Sequence, residues 1–478
     1  MGFTCRKTKK NPPGSLESSP DESGDKPSVV DPFILPDLSS DRKKNKKPRT
    51  NGGRYGFDDY PSAAIVTHDV EGCRPGDVCE SCKLGKYYYG EERKLLEFTG
   101  GPIIRATRHI KKALRCNRCG HEKVSSKKIV KWSPEARSAL VIHKIYGTPW
   151  YRMSRIQKLC GVPIATSTQY AQCQEIWEDS AKYIVSELYR LGIEHHLWCT
   201  DDTGMKILSV LKMNELLPES EQRACHTTAI CTGHENNKII LYMTANRYCR
   251  ENWAPLLERR ASKDKLIIMT DASNQSLPKG KELERVESAI CLGGHARKKF
   301  KDLEDHYPEQ CEYFLKLIAD LYKNDSVCKD KDPQQRLEYH QEHSSPIIDV
   351  IYARIADLFE NKIIEPNSDL GKAMNYWVNQ KEGLTAFLRI KGVILDNNWA
   401  ENALRIMAVY RKASLFFKTL NSALVMSDMF SLVVTCEVNG INAFDYLNWI
   451  QRNWKKVQEN PGAYLPWCLK QDTEKIAC

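Results

Sequence analysis

The stretch HLWCTDDTG, residues His196–Gly204, decides the fold. Its first half is rich in residues that favour strands, and that half runs directly into two carboxylates, Asp201 and Asp202. The segment therefore predicts a buried strand that ends in an acidic pair.

The residues downstream extend this strand into a sheet. Two apolar runs, His226–Thr232 and Lys238–Met243, flank a polar turn and predict an antiparallel hairpin. After a helical segment, the buried-strand run Lys265–Thr270 leads directly into Asp271, and Ser288–Leu292 has the pattern of a short strand. Strands interleaved with helices predict a mixed α/β fold class.

A third acidic side chain lies far downstream in LDNNWAENALR, residues Leu395–Arg405. Apolar residues recur there with helical spacing, so the segment predicts a helix that packs on the core and carries Glu401 on its flank. We expect Asp396 to act as the N-cap of that helix. Taken alone, Glu401 is most simply a solvated surface side chain.

The three acids together have the chemistry of a metal site. Asp201 and Asp271 end strands of an α/β sheet, where functional sites gather. With Glu401 they would make a hard-oxygen site suited to Mg²⁺ or Mn²⁺. Two such ions about 4 Å apart can activate a water or a 3′-hydroxyl and stabilise the leaving oxygen of a phosphodiester. Because the acids lie far apart in the sequence, their spacing alone is weak support for this site.

Cysteine spacing predicts a second, structural metal site. Of the 18 cysteines, two pairs have Cys-x-x-Cys spacing, Cys79 with Cys82 and Cys116 with Cys119. Two such pairs predict a four-thiolate Zn²⁺ site, and a redox or free-thiol pair is the alternative. Basic residues crowd the second pair, which favours a zinc-stapled module that binds DNA.

Composition favours an anionic partner. The net charge is +10 and the pI is about 8.7, so nucleic acid is the first expectation and a generally basic protein is the alternative. The polar N-terminal segment is predicted to be disordered, and its basic run Arg42–Arg49 is either a solvated tail or a phosphate-binding arm. We see no signal-like segment and no apolar run near the roughly 20 residues that cross a membrane, so we expect a cytoplasmic protein without membrane contact.

Between the cysteine pairs and the sheet, residues 133–190 have a helical pattern that begins with a predicted N-cap at Ser133. Two predicted helices, around Arg152–Leu159 and Thr166–Leu188, flank a turn that contains Gly161 and Pro163. They fit either a helix-turn-helix that binds DNA or a plain helical spacer.

Taken in order, these segments resemble the transposases of the insertion sequence 66 family, from about Gly52 to Trp467. The markers that carry the resemblance are the two Cys-x-x-Cys pairs, TPWYR at Thr148–Arg152, DDT at Asp201–Thr203, the strand end at Asp271, HARKKF at His295–Phe300, DNNWAE at Asp396–Glu401, YRKASLF at Tyr410–Phe416, NGIN at Asn439–Asn442, YL at Tyr446–Leu447 and LPW at Leu465–Trp467.

The resemblance implies a ribonuclease-H-like catalytic core in which Asp201, Asp271 and Glu401 hold two Mg²⁺ or Mn²⁺ ions, interrupted by a helical insertion. It implies a bacterial mobile-element enzyme that cuts double-stranded DNA at the element ends and joins the freed 3′-hydroxyl to target DNA. A homo-oligomer, accessory transposition proteins and a nucleoid-associated location are further expectations. Basic residues near the triad are expected to contact phosphate: His295, Arg297, Lys298, Arg405, Arg411 and Lys412. For the first three of these, a surface basic cluster is the alternative.

Three positions depart from the usual family pattern, which has Glu at Asp202, Gly at Ala272 and Arg at Asn402. None is an expected metal ligand, yet the departures keep two alternatives open. One is a catalytically inactive, transposase-derived, zinc-dependent DNA-binding protein, and the other is a non-mobile nuclease of the same fold.

The resulting domain prediction has six parts. They are a disordered basic tail (1–52), a zinc-binding DNA-binding module resembling a zinc ribbon (53–130), a helical DNA-binding or spacer region (131–194), a catalytic core in two pieces (195–300 and 391–440), an all-helical insertion (301–390) and a C-terminal helical tail (441–478).

Overall fold

The computed structural model describes residues 74–79, 81–88, 101–110, 113–115, 122–124, 128–273 and 275–469. The chain divides into two compact units, residues 1–99 and 100–478. The predicted N-terminal tail and the second cysteine pair, Cys116 and Cys119, lie outside the described residues.

The second unit is built on a mixed five-stranded sheet. Its strands are β3 (Leu197–Met205), β4 (Cys225–His234), β5 (Asn237–Ala245), β6 (Leu266–Thr270) and β7 (Val286–Ile290), and a separate antiparallel pair is formed by β1 (Ala113–Arg115) and β2 (Glu122–Val124). The sheet order is β5-β4-β3-β6-β7. Strand β3 pairs antiparallel with β4 and parallel with β6, and β6 pairs parallel with β7. The predicted α/β class and the predicted β4–β5 hairpin are therefore confirmed.

Helices surround this sheet. Their bounds are α1 (Pro134–Ile145), α2 (Trp150–Leu159), α3 (Thr166–Ile176), α4 (Lys182–Gly192), α5 (Leu208–Asn214), α6 (Cys249–Arg259), α7 (Lys298–Lys301), α8 (Pro308–Cys328), α9 (Pro333–His343), α10 (Ser345–Glu360), α11 (Asp369–Asn379), α12 (Lys381–Leu384), α13 (Asn398–Ser414), α14 (Leu420–Val438), α15 (Ala443–Arg452) and α16 (Trp454–Glu459).

Local sequence accounts for several helix ends. Ser133 caps α1 through a bond from the Ala136 amide to its hydroxyl, as predicted. The predicted helix Thr166–Leu188 is instead two helices, α3 and α4, joined by a π-helical turn at Trp177–Ala181. At that turn the Trp177 indole donates a 2.6 Å hydrogen bond to Asp428 on α14, so a tertiary contact accompanies the local change of helix type.

Helix α14 covers the edge of the sheet. Three polar residues spaced four apart, two on α14 and the third its C-cap Asn439, bond the backbone of edge strand β5 at alternate residues and form a polar ladder. Ser431 accepts from Tyr242 N at 2.8 Å, Thr435 from Ile240 N at 3.1 Å and Asn439 from Lys238 N at 3.0 Å. Four helical residues rise about 6 Å and two strand residues about 6.6 Å, so the two spacings stay in step. The helix thereby closes an edge that would otherwise be open to pairing with another strand.

The same helix corrects one sequence expectation. Leu420–Val438 is long and apolar enough to cross a membrane by length and composition, although no such run was expected. Of its most apolar window, 72% is buried inside the protein, and the polar ladder to β5 occupies one face. The burial and the contacts of this helix are those of a core helix.

Candidate active site

The sheet register brings Asp201 and Asp271 together. Strand β3 aligns Cys199 with Met269 of the parallel neighbour β6, and continuing this register sets Asp201 level with Asp271, the first residue after β6. Adjacent strands are about 4.8 Å apart. The expectation that β3 ends at Asp201 is wrong, because residues 201–205 continue in antiparallel pairing with β4 to Met205. Asp271 lies directly after the carboxyl end of β6, as predicted.

Electrostatics show that further acids lie close to Asp201. The pKa of Asp201 is raised to about 7, chiefly by burial and also by repulsion from Asp271, Asp202 and Glu401, against a lowering hydrogen bond from the Asp202 amide. That amide donates to Asp201 Oδ1 at 2.8 Å. Four carboxyl groups from β3, the β6 end and α13 are thus near enough to influence one proton.

Glu401 reaches this site from the first turn of α13, where its amide donates to Asn397 O at 3.0 Å. The close approach depends on Gly294, because a Cβ there would stand 2.4 Å from Glu401 Oε1. Gly293 plays the same part for Asp396, since its Cβ would stand 2.3 Å from Asp396 Oδ1. Both glycines lie in a π-helical turn, Leu292–Arg297, that follows β7.

The prediction that Asp396 caps α13 is wrong. The N-cap is Asn397, whose side chain donates instead to Thr200 O on β3 at 2.9 Å. Asp396 Oδ1 accepts from the Gly293 amide at 3.1 Å and from the Tyr322 hydroxyl at 2.6 Å. Asp396 therefore joins the turn before α13 to both the β7 end and helix α8 of the helical segment that precedes α13.

Asp202 is attached to a different element. Its Oδ2 accepts from the amide of Cys249, the first residue of α6, at 3.2 Å. Burial raises the pKa of Asp202, while nearby His226 and this amide lower it. Asp202 thus joins β3 to α6, whereas the bond that Asp201 accepts is local, from the next amide along the strand.

The predicted basic residues divide into two groups. His295, Arg297, Lys298, Arg405 and Lys412 are exposed. His295 is near the acids, with Nε2 at 3.9 Å from Asp271 Oδ2. Arg411 instead binds the end of β3, donating to Thr203 Oγ1 at 2.9 Å and to Gly204 O at 2.7 Å. These two bonds fix the last turn of α13 against the strand that carries Asp201.

The donor set suits hard divalent cations, but it is not a tight cluster. Within the described part of the chain, the one group of three His, Cys, Asp or Glu side chains whose ligand atoms all lie within 4.8 Å of one another is Asp325, Cys328 and His340. The oxygens of Asp201, Asp271 and Glu401 are therefore spread more widely than one shared ion would require. Spacing of this kind is compatible with two ions, which share some ligands and not others.

The first cysteine pair forms a compact turn in the N-terminal unit. The Cys79 amide donates to Gly85 O and the Lys83 amide to Cys79 O, both at 2.8 Å, and the Gly85 amide donates to Cys82 Sγ at 3.4 Å. The pKa of Cys79 is lowered to about 7, chiefly by a hydrogen bond from the Cys82 backbone. A lowered pKa favours the thiolate, which is the form that binds metal.

Sequence reasoning missed Gly293, Gly294 and Tyr322. The adjacent glycines directly before His295 were a usable signal, because glycine permits close approach of another group. Tyr322 gave none, since it is one of several aromatic residues on a long helix and its partner lies 74 positions away.

Comparison with known proteins matches this chain to a transposase family. The family model described as "Transposase IS66 family" matches residues 130–424, which include all three acids and the helical segment between them. Two relatives in Sinorhizobium fredii (strain NBRC 101917 / NGR234) are uncharacterized protein y4qI, 28% identical over 196 residues, and uncharacterized protein y4jD, 28% identical over 161 residues. These alignments cover 40% and 33% of this chain, and 35% and 31% of the relatives, so the chain spans about a third of their length. By the extent of the family match, the chain belongs to the IS66 family of transposases.

Proposed function

We propose that this protein is a DDE-type DNA transposase, which cleaves phosphodiester bonds at the ends of an insertion sequence and transfers the freed strands to target DNA. The observation that carries the proposal is geometric: the register of β3 with β6 sets Asp201 level with Asp271, and Glu401 of α13 packs against Gly294, which follows β7. Burial is the main cause of the raised pKa of Asp201, and the charges of Asp271 and Glu401 add to it. Acids held together against their mutual repulsion are typical of a site that binds cations or manages protons.

The residues fit a pair of Mg²⁺ or Mn²⁺ ions held by Asp201, Asp271 and Glu401. The donors are hard oxygens, and a divalent cation would relieve the repulsion that helps to raise the pKa of Asp201. When bound, such ions make a water or 3′-hydroxyl more acidic and stabilise the leaving oxygen.

The rest of the site would position DNA around these acids. In the first reaction, water attacks a phosphorus atom, the phosphodiester bond to the 3′ oxygen breaks, and that oxygen takes up a proton. In the second, the 3′-hydroxyl loses its proton and attacks a target phosphorus, the bond from that phosphorus to the target's own 3′ oxygen breaks, and that oxygen takes up a proton. His295, exposed and 3.9 Å from Asp271, is placed to contact the phosphate on which negative charge develops. Exposed Arg405 and Lys412 lie on α13, the helix that carries Glu401, where they can follow the DNA backbone.

The sheet supports the ribonuclease-H-like assignment of the core. Strands β3, β4 and β5 form an antiparallel meander. Strand β6 pairs parallel with β3, β7 pairs parallel with β6, and the first acid lies on the central strand β3. The helices α8–α12 then form the insertion between Asp271 and Glu401. On this division, residues 195–300 and 391–440 make the core, with the modules at 53–130 and 131–194 before it.

Double-stranded DNA, both element ends and target, is the proposed partner. The net charge of +10 and the exposed basic residues support salt-sensitive binding. Pairing two ends calls for at least two protomers, so we propose a homo-oligomer that acts in the cytoplasm on nucleoid DNA, with accessory transposition proteins as further partners.

The proposal is tested with the full-length protein and DNA segments that flank its gene, in the presence and absence of Mg²⁺. We expect Mg²⁺-dependent nicks at the segment ends and joining of the new 3′ ends to a second duplex. Cleavage without joining would favour the non-mobile nuclease. Binding with neither reaction would favour the inactive DNA-binding protein.

Tyr322→Phe should slow cleavage about tenfold without weakening DNA binding. The variant loses a hydrogen bond to the Asp396 carboxylate, and such bonds to charged groups contribute about 1.5–3 kcal/mol. Asp396 precedes α13, so the loss would hold the start of that helix, and Glu401 in its first turn, less firmly. The measurement is the cleavage rate at saturating DNA. The matched control is Tyr313→Phe, a more exposed tyrosine on the same helix, and equal rates in the two variants would contradict the positioning role.

Cys82→Ser should remove about one zinc ion per chain from the purified protein. We propose that Cys79, Cys82, Cys116 and Cys119 share a structural Zn²⁺, and the amide-to-sulfur bond at Cys82 supports a metal-binding turn. Elemental analysis measures the zinc, and Cys160→Ser, which changes an exposed cysteine elsewhere, is the control. Unchanged zinc in Cys82→Ser would exclude this site.

A further inference from the structure

Three potential metal ligands meet where helices α8 and α9 form a hairpin. Asp325 and Cys328 lie one turn apart at the end of α8, and His340 faces them from α9. His340 Nε2 is 3.4 Å from Cys328 Sγ and 3.2 Å from Asp325 Oδ1. Cys328 and His340 are buried, while Asp325 is partly exposed. The cluster is separate from the acids of the candidate active site.

The sulfur–nitrogen distance matches one edge of a tetrahedral zinc site. With Zn–S near 2.3 Å and Zn–N or Zn–O near 2.0–2.1 Å, tetrahedral angles separate neighbouring ligand atoms by about 3.3–3.6 Å. The 3.4 Å between Cys328 Sγ and His340 Nε2 falls in that range, and the 3.2 Å between His340 Nε2 and Asp325 Oδ1 places the carboxylate beside the same position. A thiolate, an imidazole and a carboxylate together are also donors that zinc accepts.

The surroundings orient the ring for binding. His340 Nδ1 lies 2.9 Å from Ser344 Oγ, and the same oxygen accepts from Asn324 Nδ2 at 3.2 Å. When Nδ1 donates its proton to Ser344, Nε2 directs a lone pair at Cys328 and Asp325. A hydrogen-bond partner on the other nitrogen is the usual outer support of a histidine that binds metal.

One competing contact belongs to Arg336, which forms an ion pair with Asp325. Without a metal, this arginine, His340 and the acid would form a hydrogen-bonded network that holds the two helices. Within the described residues, however, both contacts of the Asp325 carboxylate use Oδ1, which leaves Oδ2 for an ion. A carboxylate can bind an arginine and a metal at the same time through its two oxygens.

We propose that Asp325, Cys328 and His340 bind a zinc ion that staples α8 to α9 in the helical insertion. The fourth coordination position, on the side where Asp325 is exposed, takes a water molecule. This site shares no residue with the proposed cysteine site and does not depend on catalysis.

The test counts zinc in the full-length protein after extensive dialysis. With both sites filled, the wild type should hold about two ions per chain, and Cys328→Ser and Cys82→Ser should each hold about one. Cys311→Ser is the matched control, because Cys311 is another buried cysteine on α8 outside the cluster. It should keep the wild-type content.

A second variant guards against misfolding of Cys328→Ser. Asp325→Asn preserves side-chain shape, and we expect it to keep its circular dichroism spectrum while a chelator removes the second zinc at least about tenfold more readily than from the wild type. Two results would overturn the proposal: a wild-type protein whose zinc is all lost in Cys82→Ser, or an Asp325→Asn variant that retains zinc as firmly as the wild type.

Discussion

Asp201→Asn should lose at least about a hundredfold of the Mg²⁺-dependent cleavage rate while its affinity for DNA stays within about twofold. Asparagine keeps the shape of the side chain and can still accept the 2.8 Å bond from the Asp202 amide. It lacks the negative charge that a divalent cation requires. The change therefore removes one metal ligand and leaves strand β3 intact.

The same substitution should not destabilise the protein. In the wild type, burial and three neighbouring carboxylates raise the pKa of Asp201, which means that its charged form is held at a cost. A neutral side chain avoids that repulsion, so the midpoint of thermal unfolding without metal should equal or exceed that of the wild type. Lost activity together with unchanged or raised stability would separate a chemical role from a structural one.

Asp202→Asn is the matched control, one residue further along β3. Its carboxylate already accepts from the Cys249 amide at the start of α6, so we expect a smaller loss of cleavage than in Asp201→Asn. Cleavage that survives in Asp201→Asn and disappears in Asp202→Asn would show that the acids have been assigned to the wrong roles.

Much of the sheet was predictable because strand patterns are local. Alternating and continuous apolar runs located the β4–β5 hairpin and strand β6, and the position of Asp271 directly after β6 followed from the sequence. The continuation of β3 beyond Asp201 was missed because the acidic, glycine-containing residues there resemble a turn. Antiparallel pairing with β4 determines their conformation instead.

The rest of the site depends on contacts between distant segments. Asp396 stands where an N-cap would, and only the folded chain brings Gly293 and Tyr322 within hydrogen-bonding distance of it. The polar ladder of α14 is a similar case. Ser431 and Thr435 have helical spacing, but their partners on β5 are fixed by the alignment of a helix with a strand. Sequence periodicity assigns a face to each residue without identifying what lies opposite.

Asp428 should make the free energy of unfolding fall as the pH rises, and this is the second large effect that we expect. This acid is buried in α14, where Trp177 Nε1 donates a 2.6 Å hydrogen bond to its Oδ2. Burial raises its pKa to about 7, against a smaller lowering by the Trp177 bond. In the unfolded chain the pKa is near 3.9, so between about pH 4 and pH 7 the folded protein retains a proton that the unfolded chain has released.

The sign follows from proton binding. Because the folded state binds more protons in this window, the free energy of unfolding decreases with rising pH, and the stabilisation is fully present near pH 4 and lost above pH 7. A pKa difference of about three units corresponds to roughly 4 kcal/mol, which is an upper figure for one group. Asp428→Asn has no charge to bury and can still accept from Trp177. It should therefore be more stable than the wild type by a few kcal/mol at about pH 8, and similar to it at about pH 4.

Comparing the two proteins isolates Asp428 from other titrating groups, including Asp201, because those groups are common to both. Unfolding by denaturant at several pH values gives each curve, and their difference should grow between about pH 4 and pH 7 and then level off. Trp177→Phe serves as the control, since it removes the donor but keeps the acid, and should lower stability while preserving the fall with pH. Parallel curves for the wild type and Asp428→Asn would mean that Asp428 is ionised in the folded protein, and its contact with Trp177 would then be a charged hydrogen bond.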